Sequence, residues 1–195
     1  MSDNYTFPLP TLDHFVEFIF FDGPFLPHEL QRIDAYWEAS QSEAAVLEGG
    51  TLRDDSIRKS SVIGINYERN HHWIYDRLTQ LAKGANQQHY HFDMVGFHEP
   101  LQLAEYGVGD FFDWHLDFGV GYSSRRKLSI SVQLSDPNQY EGGNLEFQIN
   151  NKVVKAPRAK GTVIIFPSFI MHRVTPITSG RRRSIVGWVS GQPFR

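Results

Sequence analysis

The sequence predicts a mostly β domain whose helices are confined to its N-terminal part. Two observations predict it. From about His89 onward, short runs rich in Val, Ile, Leu and Phe alternate with Gly, Pro, Asn and Asp turns, the spacing of a many-stranded sandwich or barrel. Before that point, two stretches repeat apolar residues at helical spacing. The expected arrangement is two helices packed on one face of a β-sandwich. One domain spans 1–195, with 1–88 as helical support and 89–195 as the β core.

The elements follow in chain order. "FFDGPFLPHELQRIDAYWEASQ" opens with Pro and Gly and then places Leu30, Ile33, Tyr36 and Trp37 on one face, which predicts a helix over 27–42. "EGGTLRDDSIRKS" is a polar connection, and residues 52 to 61 are expected to form a mobile lid. "SVIGINY" reads as a strand. "HHWIYDRLTQLAKGAN" reads as a second helix with Trp73, Leu78 and Leu81 inward and Gly84 as its stop. Strands are then expected in "HYHFDMVGF", "LQLAEYG", "KLSISVQLS", "NLEFQIN", "KVVKAP", "GTVIIFP", "HRVTPI" and "RSIVGWVS". In "KLSISVQLS", Leu128, Ile130, Val132 and Leu134 share one face and Ser129, Ser131 and Gln133 the other. The polar face implies either a wet, functional interior or a solvent-facing strand.

Composition narrows the function classes. The chain has 195 residues, 41% of them hydrophobic and 21% charged, with a formal charge of −3. That balance does not suggest a nucleic-acid or membrane-surface protein. Cysteine is absent, which removes disulfides, thiolate metal sites and thiol nucleophiles together. The start "MSDNYTFPLPTLDH" lacks the basic and apolar pattern of a secretory signal, and no apolar run reaches the roughly 18 residues of a membrane span. A soluble, cytoplasmic protein is expected.

Nine histidines are present; His14, His28, His71 and His72 fall in helix or loop contexts and His89, His91 and His98 on β-like segments, and these seven are read as structural or surface residues. His115 and Asp117 differ. Residues i and i+2 of a strand project to one face, so an H-x-D pair can grip one metal ion. His172, after the apolar run "IFPSFIM", is the best candidate for a third ligand. Two His and one carboxylate form the facial triad of non-heme Fe(II) oxygenases, with positions left open. Arg182 lies ten residues beyond His172, across a turn from Pro176 to Gly180, on a returning strand. If that strand pairs beside the His172 strand, its guanidinium enters the same interior as a fork for a carboxylate. Arg182, Ser184, Val186 and Trp188 share a face by parity, while Arg181 and Arg183 belong to a solvated basic run.

These residues carry a resemblance. Tyr106, Gly109, Phe112, His115 and Asp117 form Y-x-x-G-x-x-F-x-x-H-x-D, followed by "LSISVQLSD", "EGGNLEF", "GTVIIFPS" and "HRVTPITSGRRRSIVGW". Over roughly residues 95 to 190 the chain resembles the Fe(II)- and 2-oxoglutarate-dependent dioxygenases of the prolyl 4-hydroxylase-like branch. The resemblance implies a double-stranded β-helix (jelly-roll) core with helices on the major sheet. It implies Fe(II) on His115, Asp117 and His172, and the distal carboxylate of 2-oxoglutarate on Arg182. Tyr106, Gln133, Ser131 and Ser184 would hydrogen-bond or line the co-substrate. Arg126, Trp188, Arg58 and Ser60 would face substrate, the last two through an R-x-S element similar to one in relatives.

The implied reaction consumes O2 and converts 2-oxoglutarate to succinate and CO2 while a C–H bond is hydroxylated. The leading substrate is a proline residue of a peptide or protein, with a free amino acid or other small molecule as the alternative. Ascorbate dependence is an expectation of this branch. Asp117 stands where related halogenases carry a small residue, which favours hydroxylation. Collagen-type members carry Lys and Tyr at the positions of Arg182 and Gln133, so this chain is more similar to bacterial and phage members. Two readings of other classes stand beside it, a cupin-type metal jelly-roll without 2-oxoglutarate turnover and a non-catalytic binding or scaffold domain. Arg182 argues against the first and the intact triad against the second.

Overall fold

The computed structural model describes residues 15–40, 43–44 and 54–193. Its helices are α1 (Pro27–Ala39) and α2 (His72–Ala85), the latter running on into a π-helical turn over Asn86–Tyr90. The strands in the first half are β1 (Ile19–Phe21), β2 (Glu43–Ala44), β3 (Arg58–Lys59) and β4 (Ser61–Ile65). Then come β5 (Met94–Phe97), β6 (Leu101–Tyr106), β7 (Phe111–His115), β8 (Arg126–Gln133), β9 (Tyr140–Gly142) and β10 (Leu145–Ile149). The last five are β11 (Lys152–Lys155), β12 (Val163–Pro167), β13 (His172–Val174), β14 (Ile177–Gly180) and β15 (Arg182–Gly191).

Two sheets form a jelly-roll. The major sheet runs β1-β12-β8-β15-β6-β4-β2, with β5 also paired to β15, and the minor sheet runs β11-β10-β13-β7-β3. A short β14-β9 pair closes one end. Helices α1 and α2 cover the outer face of the major sheet. Ile33 and Trp37 from α1 and Ile74, Tyr75, Leu78, Ala82 and Ala85 from α2 pack there against Leu101, Leu103, Leu128, Ile130, Val132 and Ile185. Glu29 of α1 accepts a hydrogen bond from the Leu26 amide at 2.7 Å and pairs with Arg77 of α2 at 2.9 Å, tying the helices together. A second apolar layer, with Leu145, Phe147, Ile164 and Phe166, lies between the sheets. Among the described residues no helix is long and apolar enough to cross a membrane.

Several expectations change in detail. The first 88 residues do more than support, since β1 and β4 join the major sheet and β3 joins the minor one. Gly84 does not stop α2. The chain stays helical to Tyr90 and reverses at His91 with φ 55°, where the Asn86 side chain bonds both the N–H (2.8 Å) and C=O (2.9 Å) of Phe92. That local clamp, which helical periodicity does not register, shortens the strand expected in "HYHFDMVGF" to Met94–Phe97. The segment 52–61 is no free lid where described. Residues 54–57 form a turn, and Arg58 and Lys59 pair with Phe112 and Phe111.

Pro176–Gly180 is likewise no simple turn, because Ile177–Gly180 is strand β14. Its presence sends the chain across to the major sheet, so β15 pairs with β6 and β8 and not with the His172 strand. Arg182 therefore reaches the site from the opposite wall.

Candidate active site

His115 ends β7 and His172 begins β13, and the two are direct partners in the ladder between these strands. Asp117 is not on the strand. It sits on a bend just beyond β7, where its backbone N–H and that of Phe118 donate to the Ser168 carbonyl at 3.0 and 2.9 Å. The bend, and not strand parity, turns its carboxylate inward. His115 Nε2 lies 3.7 Å from one Asp117 oxygen and His172 Nε2 lies 3.5 Å from the other. One donor atom from each residue lies within 4.8 Å of the others, the one such metal-capable group found among the described residues.

The donor set suits a divalent ion. Nδ1 of His115 is 2.7 Å from the Asp113 carbonyl and Nδ1 of His172 is 2.9 Å from the Ile170 carbonyl. A carbonyl can only accept, so each Nδ1 carries the proton and each Nε2 presents a lone pair inward. Burial, helped by the neighbouring His172, holds the His115 imidazole at about 3, well below its usual range, so the ring is neutral near pH 7. Burial alone would raise the Asp117 carboxyl; His172, His115, the Ser129 hydroxyl and Arg126 outweigh it and hold the group below its ordinary value. Ser129 Oγ donates to Asp117 Oδ2 at 2.6 Å. Ser129 was not among the expected site residues, although the alternation of β8 placed it on the polar face with Ser131 and Gln133. That face points into the sandwich.

The opposite wall is β15. Arg182, Ser184, Val186 and Trp188 all line the cavity, as their parity predicts. Arg182 is 1% exposed, and among the described residues no acid pairs with it. Its Nη1 donates to Ser184 Oγ at 3.3 Å and its Nη2 to Gln133 Oε1 at 3.0 Å, while its Nε has no partner. The guanidinium lies 5.6 Å from the Tyr106 ring. Burial pushes its pKa down from the ordinary arginine value, against the opposing effect of Tyr106 and Tyr140, but an arginine stays charged. A buried guanidinium held only by neutral groups and facing a metal-capable triad is a receptor for a carboxylate.

The remaining expected residues divide. Tyr106 and Ser131 line the cavity. Gln133 lies behind it, accepting from Arg182 and donating Nε2 to the Pro157 carbonyl at 3.1 Å, so it positions the arginine instead of facing a ligand. Arg126 does not line the cavity. It pairs with Glu99, donates to the Asp117 carbonyl at 3.2 Å and stacks 3.9 Å over Trp188. Arg58 lines the cavity and donates to Ser60 Oγ at 3.0 Å, with Ser60 itself outside the lining. Tyr140, missed by sequence reading, is buried against Arg182, and Gly143 gives the arginine stem its passage.

The cavity among these residues holds about 40 Å³ of free space, room for one or two waters. A larger groove of about 800 Å³ runs between α2 and β5, but the metal-capable group is not in it, and the chemistry belongs to the smaller cavity. There Arg58 stacks 4.8 Å from the Phe112 ring, which stacks in turn on His115. This wall, carried by the two-residue edge strand β3, narrows the site.

Comparison with known proteins agrees with this geometry. Residues 101–190 match the model of the 2OG-Fe(II) oxygenase superfamily. A PKHD-type hydroxylase of Prochlorococcus marinus is 38% identical over 162 residues, covering 82% of this chain and 69% of its own. One of Synechococcus sp. (strain CC9902) is 43% identical over 91 residues, 46% of this chain and 40% of its own. The chain spans less than half the length of the first curated relatives it matches. The fold is similar to the crystal structure of a Pseudomonas putida prolyl-4-hydroxylase, with TM-score 0.70, 22% identity and coverage of 90% and 93%. It is similar as well to a Trichoplax adhaerens prolyl hydroxylase in complex with a hypoxia inducible factor peptide fragment, with TM-score 0.75, 18% identity and coverage of 90% and 84%.

Proposed function

The chain belongs to the 2OG-Fe(II) oxygenase superfamily, and from that premise we propose that it is a hydroxylase in which His115, Asp117 and His172 hold Fe(II) and Arg182 holds 2-oxoglutarate. Bound together, iron, 2-oxoglutarate and O2 supply the oxidation: the oxoacid leaves as succinate and CO2, taking up one oxygen atom, and the other is inserted into a substrate C–H bond. The protein supplies position. Two carbonyls fix the imidazole tautomers, and Ser129 and the Ser168 carbonyl fix Asp117. Ser184 and Gln133 aim Arg182, while Tyr106 and Ser131 wall the space between it and the triad. The apolar flanks of Phe112, Leu145, Phe166 and Val174 keep bulk water from that space.

A proline residue in a peptide is the proposed target. The names of the solved relatives, a prolyl-4-hydroxylase and a prolyl hydroxylase bound to a peptide, support it. Trp188 and Arg58, both lining the cavity, are the residues proposed to face substrate, with Ser60 orienting Arg58. Arg126 is proposed to act through its contacts with Trp188 and Asp117.

The observation that carries the reading is Arg182, buried opposite the triad with no acid partner among the described residues. Anaerobic titration of Fe(II)-loaded protein with 2-oxoglutarate tests it. A weak visible charge-transfer band is expected in wild type, lost in His172→Ala and shifted to much higher co-substrate in Arg182→Ala. Iron binding without any band would move the assignment to a metal jelly-roll of cupin type.

A further inference from the structure

We infer that the substrate ends in a carboxylate and that Arg58 receives it. The inference rests on the 2-oxoglutarate reading above and narrows its substrate class. Arg58 is 6% exposed and lines the same cavity as the triad and Arg182. Its Nε donates to Ser60 Oγ at 3.0 Å, its Nη2 reaches Gln102 Oε1 only at 3.5 Å, and its guanidinium lies over the Phe112 ring at 4.8 Å. Among the described residues no acid pairs with it, and its side-chain partners are the neutral Ser60 and Gln102.

Other arginines around the core are treated differently. Arg77 meets Glu29, Arg126 meets Glu99, Arg173 meets Glu146 and Arg183 meets Glu105. Arg158 also lacks an acid, but Asn144 and the Tyr140 carbonyl occupy both its Nη groups and it does not line the cavity. Arg182 and Arg58 are thus the two cavity-lining guanidinium groups without a counter-charge, and burying such a group uncompensated is strongly unfavourable.

Charge counting points the same way. A divalent ion with Arg182 and Arg58 brings four positive charges to the cavity. Asp117, its one lining carboxylate, and the two carboxylates of 2-oxoglutarate return three. One more carboxylate balances the site. A residue in mid-chain has no backbone carboxylate to offer, whereas a free amino acid or the C-terminal residue of a peptide does. The fork of Arg58 suits that group bidentately, and β3, the edge strand of the minor sheet paired to β7, holds that fork at the cavity wall.

The test uses full-length protein loaded with Mn(II) and saturated with 2-oxoglutarate, read by calorimetry and thermal shift. The probes are the free L-amino acids, their amides, and Ala-Ala-Pro with a free or amidated C-terminus. At least one acid is expected to bind ten-fold or more tightly than its amide. Arg58→Gln should erase that preference, Arg58→Lys should restore part of it, and neither should change 2-oxoglutarate affinity more than about two-fold. Preference for the tripeptide acid assigns a C-terminal residue; preference for an amino acid assigns a free one. Amides that bind as well as acids, no carboxylate that binds, or a preference that survives Arg58→Gln in a protein of wild-type melting temperature would overturn the inference. Failure of 2-oxoglutarate itself to bind Mn(II)-loaded wild type would sink the oxygenase reading, and this inference with it.

Discussion

Arg182 carries a charge that no acid among the described residues balances. Its removal should thus act on ligand binding far more than on folding. Arg182→Ala is expected to weaken 2-oxoglutarate binding by roughly 2–3 kcal/mol, about 30- to 150-fold, with metal affinity unchanged; calorimetry on Mn(II)-loaded protein reads both. Ser129 works on the other half of the site. It donates to the Asp117 oxygen that also faces His172, and losing such an outer hydrogen bond typically weakens a metal site about 10- to 100-fold. Ser129→Ala should therefore lower Mn(II) affinity by at least that lower figure and leave the melting temperature of the metal-free protein nearly unchanged. A metal affinity equal to wild type would mean that Asp117 is oriented by its backbone bend alone.

At the scale of elements, the β9–β14 pair decides where Arg182 goes. Gly142 (φ 74°) and Gly143 (φ 57°) occupy backbone conformations that other residues adopt at a cost. A Cβ on Gly142 would fall 2.0 Å from the Pro176 carbonyl oxygen, which is backbone and cannot swing aside. A Cβ on Gly143 would fall 2.3 Å from Ile177 Cδ1 and 3.0 Å from Arg182 Cδ, both side-chain atoms. The two substitutions should differ in kind. Gly142→Ala is expected to destabilise the fold by more than about 2 kcal/mol, seen as a lower urea midpoint. Gly143→Ala should be milder in stability and should weaken 2-oxoglutarate binding by displacing the Arg182 stem. Equal loss of stability in both, with co-substrate affinity kept in Gly143→Ala, would remove the link between this turn and the arginine.

The whole molecule joins two layers with separate tasks. Helices α1 and α2 bury one face of the major sheet, while the other face and the minor sheet hold the site. Leu78, fully buried under the helix layer, is far from the chemistry in this sense. Leu78→Ala is expected to reduce stability by about 2–5 kcal/mol without changing the ratio of metal to co-substrate affinity. Ligands should stabilise in order. 2-Oxoglutarate alone should leave the melting temperature unchanged, Mn(II) should raise it, and adding 2-oxoglutarate at a hundred times its Kd should add about 2.7 kcal/mol, roughly 5–10 °C for a chain of this size. Differential scanning calorimetry checks the order, and a shift from 2-oxoglutarate without metal would show that the triad is not needed to hold it.

The sequence by itself determined what local patterning can determine. Alternation along β8 and β15 separated core from cavity, so Ser131, Ser184 and Trp188 were legible before any contact was known. Helical spacing placed α1 and α2, and the H-x-D pair with His172 and Arg182 marked a candidate metal and carboxylate site, whose chemistry the resemblance over residues 95 to 190 implied. Tertiary structure decided the rest. The Asn86 clamp overrode Gly84 as the end of α2. The Ser168 carbonyl, from a distant strand end, bent Asp117 inward where strand parity had been expected to do so. Strand β14 carried Arg182 to the opposite wall; pairing of β8 with β15 set Gln133 behind it, and the distant Glu99 engaged Arg126. The division has one physical cause. Side-chain direction within an element follows from backbone period, which is local, whereas counter-charges and hydrogen-bond partners come from distant segments, so whether a buried arginine is paired or free to bind a ligand is fixed only when the sheets close.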